Sequence, residues 1–567
     1  MTGPGRSTGS SDHLLGLALG SAYVALLVCT SSEIGMSRDE GFYAASAERY
    51  ARWFAALVDD RASAFHKDFI DQIWSTNSEH PPLMKSLFAL LYLAQQRWGL
   101  FGQDGLCYRF GGMLTAGLSL WLLYIFGVRA FGRAAGLFAA LGFAFIPRIF
   151  YHAHLAAFDV PIVLMITWAV YAYWRSLKKR RWALMTGIAF AAALATKHNS
   201  WILPGIFAIH FAWTAAVELR RRGRDGRKRL SLLPWWLPSM ALVGPALSLW
   251  SWPWLWTETG PRLLAYARFH LQHVYYNIAY FGVNYFQPPF PISYPWVLTL
   301  FTVPATLLLL SAAGMASRAR AVKDELRSAV AGRDGYERLQ VDPRQTDLLL
   351  LGGLLAPLVM ISLPSTPIFG GTKHWLTAYP FLALFAGAGF ARLLQVARQR
   401  LPRSAYPPAQ VLSAFLLLSP SLAETAHSHR FGLSHYTVAA GGVPGAADLG
   451  MNRQFWGFTT GSLVDFFNQN LPEGGTIWLC DTTWKSWQML VRDGLLSPDI
   501  HPVGDIARAD YAIVHHEHHF AEVDFQIWTL YGTVQPAHVL LYDGVPIVSV
   551  YRNPASRRAG RRREERE

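Results

Sequence analysis

Asp39 and Glu40 stand side by side in SRDEGFYAAS, Glu79 and His80 in NSEHPPLMKS, and Asp159 in AAFDVPIV. Lys85 follows the second of these motifs; Lys197 and His198 lie in ATKHNSWILP, His270 and His273 in FHLQHVYY, and Lys373 and His374 in GGTKHWLTAY. Carboxylates that take protons, imidazoles that pass them and ammonium groups that hold a phosphate are the equipment of an active site. Each group also has a plainer reading. Ser37 and Glu40 fit a capping box, with Asp39 at the positive end of the same helix. Asp159 suits the cap of a helix with Pro161 in its first turn, and Lys197 and Lys373 suit snorkelling at helix ends. His152 and His154, and the run HHEHH from His515, could bind a metal or could be locally hydrogen-bonded imidazoles.

What the first set shares is a side of the membrane, and that follows from the elements that carry it. The chain has 567 residues, 52% apolar and 16% charged, with 22 Trp, so the bilayer is its expected solvent. Many nearly uncharged windows are long enough to cross a hydrocarbon core of about 30 Å. The formal charge of +14 does not point to nucleic acid. Roughly half of the Lys and Arg fall in short clusters between apolar windows, as cytoplasmic loops do. These clusters begin at Arg129, Arg175, Leu219, Ser317 and Ala397.

Working outward from them places spans near 14–31, 108–128, 133–150, 157–175, 182–197, 200–218, 233–256, 294–316, 346–364, 374–397 and 407–424, about eleven in all. The fold class is thus an α-helical polytopic membrane protein. The N-terminus lies inside, because the first run, HLLGLALGSAYVALLVCT, has no cleavage site behind it and reads as a retained anchor. Counting 82–97 as a further crossing would turn the basic clusters outward. That segment therefore reads as a juxtamembrane helix in a first external loop, 32–107, with Pro81 and Pro82 at its start. The same loop holds an amphipathic helix: Tyr43, Ala47, Tyr50, Phe54 and Leu57 recur at helical spacing, opposite Glu48, Arg49 and Arg52.

After the transmembrane domain, 1–425, the chain turns polar. GTIWLCD, ADYAIVHH and VLLYDGVPIVSVYRN read as strands, the last a hairpin with an Asp-Gly turn, so 426–555 is expected to be a small external α/β domain. The basic tail 556–567 reads as disordered. Cys29, Cys107 and Cys480 have no metal-type spacing; a Cys107 to Cys480 bridge is conceivable. With this topology Asp39, Glu40, Glu79, His80, Lys85, Asp159, Lys197, His270, His273 and Lys373 all reach the external face. Such convergence suits an active site better than a conduction path.

The order of motifs resembles the type-C superfamily of membrane glycosyltransferases: an acidic pair after the first span, EHPPLMK in the same loop, FDVP after the third span and ATKHNSWILP between the fifth and sixth. Further on, WPWLWTETGPRLLAYARFHLQHVYYNIAYFG, PPFPISYPWVL and PIFGGTKHWLTAYPFLALFAG look like its bacterial, phospholipid-carrier-dependent branch, similar to protein O-mannosyltransferases and to the lipid A aminoarabinose transferase. The resemblance covers roughly 14–425.

It implies a sugar donor on polyprenyl phosphate and a cell-envelope acceptor, lipid, glycan or protein, outside the cytoplasmic membrane of a bacterium. Asp39 matches the family's catalytic carboxylate, with Glu40 beside it and Asp159 joining them. Lys85, Lys197 and Lys373 become candidates to hold the donor phosphate, and so does His80, which stands where the aminoarabinose branch has Lys. The branch also suggests a divalent ion held by Glu79 and a histidine before the eighth span, His273 or alternatively His270. A transporter or flippase for lipid-linked sugars is the competing reading. It would need ionisable residues near the bilayer midplane or a helical repeat.

Overall fold

The computed structural model describes residues 8–225, 233–328, 330–331 and 342–556. The last part of the basic tail lies outside them.

Helices dominate up to His429, and close backbone approach organises them. The helices Ser10–Thr30 and Asp104–Phe131 cross where Gly20 faces Gly117: a Cβ on Gly20 would come within 2.5 Å of the Gly117 carbonyl. The helices Ala305–Ser328 and Tyr379–Arg400 meet likewise, with Gly314 against the Phe385 carbonyl. In lipid, where apolar surface alone gives little drive to associate, such small residues let backbones approach and dispersion contacts accumulate.

Four helices among the described residues are long and apolar enough to cross a membrane, or up to six if two bent pairs each count as one span. The two bends fall inside expected spans. The segment 133–150 divides into Arg133–Ala144 and Pro147–His154, which meet at 68°. Ile146 is driven to an extended backbone by the proline after it. The segment 294–316 divides at Pro304 into Tyr294–Thr302 and Ala305–Ser328, bent by 117°. Within 233–256 the structure has a short turn at Trp236–Pro238, a π-turn at Ser239–Val243 and the helix Gly244–Trp250.

The first loop follows its sequence closely. The helix Arg38–Asp59 starts with the capping box of Ser37 and Glu40, and Tyr43, Ala47 and Tyr50 are buried. Its apolar stripe packs against the helices Lys67–Trp74 and Leu83–Trp98, with the Tyr50 and Trp74 rings 3.9 Å apart. The Leu83–Trp98 helix is capped by Pro82 and closed by Gly99 at φ 57°, and it is not among the membrane-length helices.

Beyond Gly432 the chain forms a five-stranded sheet, with Ile500–Val503, Gly475–Trp478 and Tyr511–His515 parallel, followed antiparallel by Val545–Arg552 and His538–Tyr542. Ile477, Ile513, Val548 and Val550 fill one face of it. The hairpin turns at Asp543 and Gly544, both at positive φ as a type I′ turn requires. Cys107 and Cys480 are both free and buried.

Candidate active site

Glu40 is completely buried, and five donors converge on its carboxylate. Arg109 grips it with Nε at 2.8 Å and Nη2 at 3.0 Å, the Ser37 N–H and hydroxyl donate at 2.8 and 3.1 Å, and the Ala156 N–H donates at 2.9 Å. A carboxylate offers about four lone-pair sites, so none remains for a substrate. The catalytic expectation for Glu40 gives way to a structural role. It ties the start of the Arg38–Asp59 helix to the Asp104–Phe131 helix and to the Pro147–His154 corner. Sequence reading passed over Arg109, although an arginine inside an apolar run is itself a signal.

Asp39, one residue earlier, points elsewhere and is 20% exposed. Lys373 Nζ lies 3.4 Å from its Oδ2 and Arg38 Nε lies 3.4 Å from its Oδ1. Burial pushes the Asp39 carboxyl up, but the Lys373 and Arg38 charges outweigh it and hold the group below the usual carboxylate range. Lys373 sits on the Trp456 ring at 4.3 Å and the Phe369 ring at 4.6 Å, so its ammonium is aimed by aromatic faces. Asp159 is close enough for its charge to act on both Asp39 and Lys373. It is itself committed to Lys197 at 2.6 Å, with His152 Nδ1 at 3.4 Å. The structure thus brings together Asp39, Asp159, Lys197 and Lys373 from four separate segments.

Lys85 is not part of this group. Its ammonium donates to the carbonyls of Asn77 at 2.5 Å and His80 at 2.8 Å, with Asn77 Oδ1 at 3.5 Å, and so stitches the EHPP turn to the helix that follows. The phosphate-holding expectation gives way to this structural one. Burial pushes Lys85 down to about 7.

His80 packs edge-on against the Tyr43 and Phe158 rings, which themselves lie 4.1 Å apart, and its Nδ1 is buried and unpartnered among the described residues. Burial and the Lys85 charge push its imidazole far down, which leaves it neutral at pH 7. Nearby, the His198 and His270 rings stack at 4.0 Å. His270 Nε2 donates to the Glu79 carbonyl at 2.9 Å, while the Glu79 carboxylate accepts from the Asn77 amide at 2.7 Å. His273 is stacked on Phe369 at 4.8 Å and bonded to the Val274 carbonyl. Among the described residues no three His, Cys, Asp or Glu side chains are grouped to hold a metal ion. Glu79 and His270 meet through the Glu79 carbonyl rather than through its carboxylate.

His154 is satisfied by the Phe150 carbonyl and the Thr30 hydroxyl, both at 2.8 Å. In HHEHH, His515 lies 3.3 Å from the Thr460 hydroxyl and His516 2.9 Å from that of Ser549. The C-terminal domain also brings Asp481, Glu517 and Trp456 to the candidate site. No spacing rule could have found them, since they lie more than 400 residues from Asp39 in sequence.

Residues 79–247 match the family model of dolichyl-phosphate-mannose-protein mannosyltransferases. No curated protein matches the chain in sequence. Among solved structures, the oligosaccharyltransferase AglB from Archaeoglobus fulgidus, in complex with an inhibitory peptide and a dolichol-phosphate, is 10% identical with a TM-score of 0.50, over 92% of this chain and 71% of that one. ArnT from Cupriavidus metallidurans, bound to undecaprenyl phosphate, is 16% identical with a TM-score of 0.48, over 94% of this chain and 97% of that one. Over 79–247 the chain is thus similar to this mannosyltransferase family, and its fold resembles that of AglB.

Proposed function

We propose that the chain moves a hexose or pentose from a polyprenyl-phosphate carrier to a cell-envelope acceptor, at the external face of a bacterial cytoplasmic membrane. In this reading the chain crosses about eleven times, the N-terminus is cytoplasmic and the C-terminal domain is external. The observation that carries it is Asp39: an ionised, partly exposed carboxylate whose two contacts among the described residues are both long, beside a lysine held on aromatic faces. The matched family is named for a lipid-phosphate sugar, which supports the donor class.

An acceptor hydroxyl is a poor nucleophile until its proton has somewhere to go. Asp39 takes that proton as the acceptor oxygen bonds to the anomeric carbon. The bond from that carbon to the phosphate oxygen breaks, and its electron pair leaves with the polyprenyl phosphate. Lys373, and Lys197 behind Asp159, stabilise the negative charge that develops there. Asp159 is held by Lys197 and His152, so a single displacement with inversion fits better than a covalent sugar intermediate on that carboxylate.

The test is release of polyprenyl phosphate from a panel of polyprenyl-phosphate sugars, supplied with cell-envelope extract to wild type and Asp39→Asn reconstituted in lipid. Release by the wild type alone is expected. Equal release by both would return Asp39 to helix capping, and no release with any donor would favour a transporter of lipid-linked sugars.

A further inference from the structure

Arg38 is held between two carboxylates from opposite ends of the chain. Its Nε lies 3.4 Å from Asp39 Oδ1, while its Nη1 donates to Asp481 Oδ1 at 2.5 Å. A guanidinium free to choose takes a carboxylate with two short parallel bonds, as Arg109 takes Glu40. Arg38 does not do this with its neighbour Asp39.

The C-terminal domain is packed so as to enforce that choice. The Ser486 hydroxyl donates to the Ser37 carbonyl at 2.9 Å, and the Arg38 N–H donates to the Trp456 carbonyl at 2.9 Å. A side chain on Gly41 would meet the Thr483 hydroxyl at 2.0 Å, and one on Gly457 would meet the Asp481 carbonyl at 1.9 Å. Asp481 holds φ 48°, a left-handed conformation that Asp and Asn tolerate better than most residues, and its side chain is 4% exposed. Glu517 lies close behind, with Oε1 buried and unpartnered. Burial pushes Asp481 up to about 6 against the pull of the Arg38 charge, and burial with the Asp481 charge pushes the Glu517 carboxyl well up, so at neutral pH it is Asp481 that answers Arg38.

We propose that Asp481 is a positioning residue: it holds the Arg38 guanidinium away from Asp39 and so keeps the base open to the acceptor hydroxyl. The inference rests on Asp39 being the base. It makes the C-terminal domain part of the catalytic apparatus rather than an appendage. The groups facing Asp39 are Arg38 and Tyr43 on its own helix, Lys373 from the Gly371–His374 turn, Asp159 with His152 and Lys197 behind it, and Asp481 with Glu517 from the C-terminal domain.

Two substitutions should move the acid limb of the kcat profile in opposite directions. In Asp481→Asn, Arg38 is released and closes on Asp39, which lowers that carboxyl further. The limb moves to lower pH and kcat falls about tenfold, with KM for the donor little changed. In Arg38→Gln a charge that lowers Asp39 is removed, so the limb moves to higher pH. The double variant should recover to the level of Arg38→Gln, because the group that quenches the base is gone; Asp481→Glu should keep most of the wild-type rate.

All are assayed in lipid with the donor that the wild type turns over. Shifts in the same direction, an unshifted Asp481→Asn, or a double variant no faster than Asp481→Asn would overturn the inference while leaving the transferase reading intact. No turnover by the wild type would sink both. Asn suits the left-handed backbone at 481; if that variant nonetheless fails to fold, an Arg38→Gln limb that does not move upward decides against the inference by itself.

Discussion

Two clusters of charge join the Arg38–Asp59 helix to the C-terminal domain, and they are built differently. Around Glu48, Lys485 and Arg492 each make contacts of 2.6 Å, Tyr108 adds a bond of 3.0 Å, and Arg492 reaches Asp104 at 2.6 Å. Every charge there has a close partner. Around Asp39, two and a half turns earlier, both contacts are 3.4 Å and the carboxylate keeps some exposure. The first cluster is what docking two bodies requires. The second leaves electrostatic capacity uncommitted, as a site awaiting a substrate must.

The largest effect that would separate the two clusters is on turnover. Asp39→Asn is isosteric and keeps the polar start of the helix, so folding should be preserved, while loss of the base lowers kcat by about three orders of magnitude. Thermal unfolding measured beside sugar transfer checks both halves. A variant that loses stability and activity together would place Asp39 with Glu48 among structural groups.

Glu40→Gln should do the reverse. It removes the charge from a buried pair with Arg109, a change that costs about 3 kcal/mol or more because the guanidinium is left uncompensated. The expected outcome is a clearly lowered melting temperature. Residual turnover of the folded fraction should stay near wild type, measured per mole of monodisperse protein.

The contrast between Asp39 and Glu40 also marks how far the sequence could be read. The pair was visible as a pair, and so was the capping box that orients it, because both are local. Which carboxylate faces the site was not local. It depends on Arg109, about seventy residues on, and on Lys373, more than three hundred on. Likewise the Leu83–Trp98 helix, the strands and the Asp543–Gly544 turn follow from proline, glycine and alternation within a few residues. The prolines at 147 and 304 were equally legible, yet spans placed from the basic clusters ran across both of them. The claims of Asp481 and Trp456 on the site had no local trace at all.

Lys373→Met sharpens the comparison from the other partner. Without the ammonium, the departing phosphate loses a cation, and a loss of about a hundredfold in kcat follows. The same change removes the largest influence holding the Asp39 carboxyl down. Turnover that depends on the ionised base, present above its pKa and lost as pH falls through it, should therefore fail at a higher pH than in the wild type. A pH–rate profile of the variant reads both effects, and an acid limb left in place would mean that Lys373 acts on the phosphate alone.

The smallest effect belongs to the well-made cluster. Glu48→Gln breaks ion pairs that are partly exposed, and such pairs contribute about 1 kcal/mol or less. Because three groups share the carboxylate, the loss should sit at the upper end of that range and shrink as salt screens the pairs. Turnover should change less than about twofold, since the contacts of Asp481 and Ser486 still hold the C-terminal domain against residues 37–41. Melting curves at low and high ionic strength measure the first expectation, and transfer assays the second. A large loss of turnover with little loss of stability would mean that the Glu48 network sets the position of Asp481, so that the two clusters work as one.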